Sequence, residues 1–168
     1  MKNMIRILGV VVLVGLFYNP VVVFGQFFFM ENEKVGKPVE DFTLKVVNGG
    51  EVSLESFRDG KQAIVFFWAT WCPHCREALS ELDENKETIE EQGIKVALVD
   101  VGEKESVVSN YLDKNKIQMN VFLDEESVVS ERYEVIGVPT FYFVDEGGIV
   151  LDVQHSFPED LEKVFSET

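Results

Sequence analysis

The sequence predicts an α/β domain built on a central mixed β-sheet with helices on both faces. Two runs, residues 63–69 (AIVFFWA) and 94–101 (IKVALVDV), are rich in β-branched and aromatic residues, as strands buried on both faces are. Segments with helical spacing follow each of them, and alternating β and α elements argue for parallel strands. A last pair of strand-like runs flanks Gly147-Gly148, which adds an antiparallel hairpin and makes the sheet mixed. A chain of 168 residues is about one domain. With 46% hydrophobic and 27% charged residues it can bury a core.

Taken in order, residues 42–47 and 51–54 alternate around Asn48-Gly49-Gly50, a hairpin signal. After the buried run at 63–69, a helix is expected from just after Cys72 to about Gln92. Pro73 suits its first position and Gly93 its stop. Residues 94–101 form the next buried strand. Residues 106–115 have helical spacing through Val107, Val108, Tyr111 and Leu112. A short strand at 121–123 and a short helix at 127–133 precede the hairpin strands at 140–144 and 149–153. Residues 158–165 close the chain as an amphipathic helix carrying Leu161, Val164 and Phe165.

Residues 1–30 have the layout of an export signal, followed by a spacer at 31–36 and the domain at 37–168. Lys2 and Arg6 precede an apolar run at 7–18, Asn19-Pro20 breaks it, and Gly25 is a candidate cleavage position. Apolar residues resume at 21–24 and 27–30, so the stretch can also reach the ~20 residues that cross a bilayer. That favours a retained signal-anchor over a cleaved signal peptide. The basic residues at the extreme N-terminus put that end in the cytoplasm. Both readings export the domain, either anchored in the cell membrane facing outside or released to the periplasm or the exterior. No cysteine follows the apolar run, which excludes a lipoprotein-type anchor.

Lys and Arg total 15 against 30 Asp and Glu, a formal net charge of −15. Such a surface is repelled by nucleic acid and by anionic lipid, so no nucleic-acid role is expected. Cys72 and Cys75 are the only cysteines, which reads as one reactive pair and not as a framework of staples. Cys72 falls where a buried strand ends and a helix starts. Free N–H groups and the positive end of the helix dipole gather there and favour a thiolate. Cys75, one turn on, is within disulfide reach and can resolve a mixed disulfide. Pro73 stiffens the turn, and His74 can tune the couple by stabilising the Cys72 thiolate. A zinc site usually needs four ligands, and only His74 and His155 are available besides the cysteines, so no metal is expected.

The segment Phe67-Trp68-Ala69-Thr70-Trp71-Cys72-Pro73-His74-Cys75 resembles the active-site segment of thioredoxin-like proteins, and Gly137-Val138-Pro139-Thr140 resembles their cis-proline loop. Residues 36–44 (GKPVEDFTL), Gly60-Lys61 and Asp145 before Gly147-Gly148 are similar to the TlpA/ResA branch of that superfamily. The resemblance covers residues 35–165 and implies a thioredoxin-like fold with an inserted αβ element. It implies an exported protein thiol–disulfide oxidoreductase with no cofactor beyond the Cys72–Cys75 disulfide. It also implies a cis Pro139 beside the cysteines, Val138 offering its backbone to an extended substrate, and Trp71 covering the site. Protein dithiol or disulfide substrates and a membrane redox partner follow, with cytochrome c biogenesis or general disulfide reduction as the reductive role and disulfide introduction as the oxidative one. The sequence gives no reason to expect a stable oligomer, so a monomer is expected.

Three positions depart from the pattern. Phe66 stands where thioredoxin has a buried aspartate, Ala78 where the branch has a glutamate, and Ser80 where thioredoxin has a kinking proline. That leaves Glu77 or Glu81 as candidate proton acceptors for Cys75. Cys-Pro-His-Cys matches the oxidising DsbA-type motif, so motif and branch point in different redox directions. Two other classes compete. A copper metallochaperone would use Cys72, Cys75 and a histidine, since soft thiolates suit Cu(I). A peroxiredoxin would need a threonine three before its cysteine, whereas Thr70 is two before Cys72.

Overall fold

A computed structural model describes residues 32–166 of the chain. The export segment read at residues 1–30 lies outside the described residues. Among the described residues no helix is long and apolar enough to cross a membrane.

The chain opens with a hairpin, β1 (Thr43–Val46) and β2 (Glu51–Ser53). Asn48 at its tip takes a positive φ of 57°, a conformation that asparagine tolerates better than most residues. The second hairpin strand ends one residue earlier than the alternation suggests. Leu54 instead starts a short helix, α1 (Leu54–Arg58), capped by the Ser53 side chain accepting from Ser56 N–H. Next come β3 (Ala63–Trp68) and α2 (Pro73–Glu84). The helix expected to run to Gln92 breaks at Asn85, and α3 (Lys86–Glu91) follows. Asn85 leaves helical geometry while its side-chain amide donates to the Glu81 carbonyl. Such local side-chain bonds compete with helix continuation. The rest is β4 (Lys95–Val101), α4 (Glu105–Asn115), β5 (Val121–Asp124), α5 (Val128–Arg132), β6 (Thr140–Val144), β7 (Val150–Gln154) and α6 (Leu161–Ser166).

All seven strands join one sheet in the order β2-β1-β5-β4-β3-β6-β7. The pairs β3·β4 and β4·β5 are parallel, while β6, β7, β1 and β2 pair antiparallel, so the sheet is mixed. All six residues of β3 are buried. Ile64, Phe66 and Trp68 face α2, α3 and α4, and Ala63, Val65 and Phe67 face the layer holding Leu54 of α1 and Val129 of α5. At the β3·β6 register Phe66 stacks on Phe141 with ring centroids 4.2 Å apart. Burying a side chain of that size contributes about 1.5–3 kcal/mol. β3 is thus held on every side, and its C-terminal end is a rigid platform for the residues that follow.

Candidate active site

Cys72 is the N-cap of α2, with Pro73 at the first helical position. Its Sγ accepts the Cys75 N–H at 3.2 Å, the orphan donor that a helix start leaves for a capping group. As a thiol it also reaches the Val138 carbonyl at 3.6 Å. The Val138–Pro139 bond is cis, and the contact of Cys72 with the Val138 carbonyl puts this loop beside the cysteines. Both cysteines are buried and free, Cys72 with 4% of its surface exposed and Cys75 with none.

Cys75 sits in the apolar layer with Phe66, Ala78 and Leu79. Burial, and secondarily its hydrogen bonding with Cys72, pushes its thiol up to about 12. Neither candidate acceptor serves it. Glu77 turns outward to pair with His74 at 3.2 Å, and Glu81 is exposed among residues of α6 and the preceding loop. Phe66 fills its place with the Phe141 stack, so that position holds no acid.

The remaining predicted residues divide. His74 is 81% exposed and engaged with Glu77, not laid over the Cys72 sulfur. Trp71 is 67% exposed, an apolar side chain next to Cys72 in the chain, and Cys72 itself is buried. Trp68 is wholly core and lies against Tyr111. His155 has Nδ1 3.1 Å from Thr140 Oγ1 and 3.3 Å from the Pro139 carbonyl, and that hydroxyl donates to the Gly137 carbonyl. It braces the cis-proline loop and does not join the cysteines as a ligand. Among the described residues no three His, Cys, Asp or Glu side chains cluster as a metal site.

Two features escape a reading of the sequence. Ile136, two residues before Val138 in the chain, is fully exposed, an apolar side chain at the entry to the cis-proline loop. Its signal was an isoleucine outside any periodic segment. Glu103, in the loop after β4, accepts both the Thr70 N–H at 2.6 Å and the Thr70 hydroxyl at 2.7 Å. That contact spans 33 residues and has no local signature.

A family model described as AhpC/TSA matches residues 35–153. The thiol-disulfide oxidoreductase ResA of Bacillus thuringiensis subsp. konkukian is 27% identical over 128 residues, covering 75% of this chain and 73% of that protein. ResA of Geobacillus thermodenitrificans is 30% identical over 125 residues, covering 73% and 71%. Among solved structures, a thiol:disulfide interchange protein DsbE from Chlorobium tepidum superposes with a TM-score of 0.71 at 26% identity, covering 77% of this chain and 94% of that one.

Proposed function

Because this chain belongs to the AhpC/TSA family, on its ResA-like side of thioredoxin-like thiol–disulfide oxidoreductases, we propose that it is exported and reduces disulfides in protein substrates through Cys72 and Cys75. The observation that carries the site is the Cys72 sulfur at the start of α2, between the Cys75 N–H and the Val138 carbonyl.

In the reaction the Cys72 thiolate attacks a substrate disulfide, forming a mixed disulfide and releasing one substrate thiolate. Cys75 then loses its proton and attacks the Cys72 sulfur. The Cys72–Cys75 bond forms, the second substrate thiolate leaves, and two electrons have passed to the substrate. No further cofactor is needed; a dithiol partner at the membrane regenerates the pair. Exposed Trp71, next to Cys72 in the chain, and exposed Ile136, two before Val138, would give the substrate apolar contacts, and Val138 would offer its backbone to an extended segment. Lys2, Arg6 and the apolar run after them support export, and the domain is taken to act as a monomer.

The reductive direction is supported by His74. A histidine stabilises the reduced state when its ring serves the nucleophilic sulfur, which makes the disulfide more oxidising. Here the ring sits in solvent with Glu77, which offsets its charge. Equilibrating the soluble domain against glutathione tests this. A potential near the ~−270 mV of thioredoxin is expected, and one near the ~−120 mV of DsbA would refute the direction. The His74→Ala variant should move it by less than about 30 mV, one decade in the equilibrium. Absence of any reversible two-electron couple would overturn the oxidoreductase reading itself.

A further inference from the structure

One buried acid takes no part in the chemistry above. Asp100 lies near the end of β4, in register with Trp68 of β3 and Leu123 of β5, with none of its surface exposed. Strand alternation puts its side chain on the face of Leu98, the side that carries α2 and Cys75. No donor meets full hydrogen-bond geometry at either of its oxygens; the Glu103 N–H approaches and compensates its charge only in part. The Nε1 of Trp68, its register partner, also lacks a partner. Asp124, one strand over and equally buried, shows the contrast: its oxygens take the N–H groups of Val129 and Ser130. A buried carboxylate short of donors is costly, and the same group as a neutral acid is not.

The charged group beside Asp100 is Glu103. Both Glu103 oxygens are bound to Thr70, two residues before Cys72, and the Cys72 N–H is itself tied to the Ala69 carbonyl at 3.2 Å. Glu103 therefore sets the path of the chain into the nucleophile. Ionised, Asp100 would repel it; protonated, Asp100 can donate its O–H to it.

We propose that Asp100 stays protonated in the working protein and, as the acid partner of Glu103, is a positioning residue that holds the Thr70 clamp and so seats Cys72. The charged groups that act on it are of one sign: Glu103 from the following loop and, through the sheet, Asp124 of β5, whose own side chain turns to the α5 face; Trp68 from β3 is uncharged. Burial first, then Glu103, and more weakly Asp124, hold its carboxyl up at about 8. Raising the pH past that point removes the proton and sets two carboxylates against each other, loosening the clamp. The inference rests on Cys72 being the attacking thiol.

The test is the rate of Cys72 alkylation by iodoacetamide from pH 6 to 10, with Asp100→Asn alongside. The label is read at Cys72 itself by peptide mass spectrometry, so that Cys75, which gains thiolate at the upper end of this range, does not enter the rate. The wild-type rate per thiolate should fall about three- to tenfold above pH 8, the weight of one hydrogen bond. The Asn variant donates an amide N–H to Glu103 and has no proton to lose, so it should hold its plateau. Superimposable profiles would overturn the proposal. The ¹³C titration of the Asp100 carboxyl in the wild-type domain decides the case if the variant does not fold: an inflection near 8 supports it, and one near 4 refutes it. A wild type in which Cys72 does not react removes the premise of the attacking thiol, while the carboxyl titration still reports on Asp100 independently.

Discussion

Cys75 should be one of the least reactive free thiols that a thiol–disulfide enzyme can carry. Its thiol stands at about 12 in the folded domain, against ~8.5 for a free cysteine. At pH 8 a free thiol is about one-quarter thiolate, and Cys75 about one part in ten thousand, a deficit on the order of 2,000-fold. The more basic thiolate is the better nucleophile, and a Brønsted slope of ~0.4–0.5 over that difference returns about 40-fold. Cys75 should therefore alkylate about 50-fold more slowly than free cysteine, before any hindrance from its complete burial. The measurement is iodoacetamide labelling of the Cys72→Ser domain at pH 8, followed by intact-mass spectrometry. Burial is the larger cause of the shift and survives that substitution, whereas the hydrogen bond with Cys72 does not. A rate ten- to fiftyfold below free cysteine is thus the expected range. Adding denaturant should return the label to the free rate, because the protection is tertiary. Labelling of the native variant as fast as free cysteine would refute the burial argument.

The stability of the domain should carry the signature of Asp100. Its folded-state value of about 8 lies above the ordinary ~3.9 of the unfolded chain. Its contribution is therefore complete below pH ~4 and is lost as pH rises towards 8, where the curve levels. Asp100→Asn should remove that slope and gain up to about 4 kcal/mol at pH 7, read from urea midpoints at pH 5, 7 and 8.5; a gain independent of pH would point to packing alone. Replacing Trp71 with alanine should raise KM for an unfolded protein disulfide about tenfold. The reduction potential should stay put, because the indole touches substrate and not the couple. A changed potential with an unchanged KM would remove Trp71 from the docking surface.

Much of the architecture was legible along the chain, because the buried strands at 63–69 and 94–101 and the helix start at Cys72-Pro73 are written in neighbouring residues. The cis-proline loop and the cysteine pair were readable as motifs for the same reason. What the sequence could not decide is what depends on contacts across the sheet. β1 joining β5 was set by packing, which local pattern does not encode, while Asn85 ending α2 and Ser53 capping the helix at Leu54 act through short-range side-chain bonds that hydrophobic periodicity does not show. His74 looked like a tuning group because it lies between the cysteines, yet the helix turns it outward to Glu77. Asp100 lay unnoticed inside an apolar run, and Glu103 in a loop. Only the register that sets Asp100 beside Trp68, and the fold that brings Glu103 onto Thr70, make them part of the site. A chemical group's identity is local, but its solvation and its charged neighbours are properties of the folded chain, and these decide what its proton does.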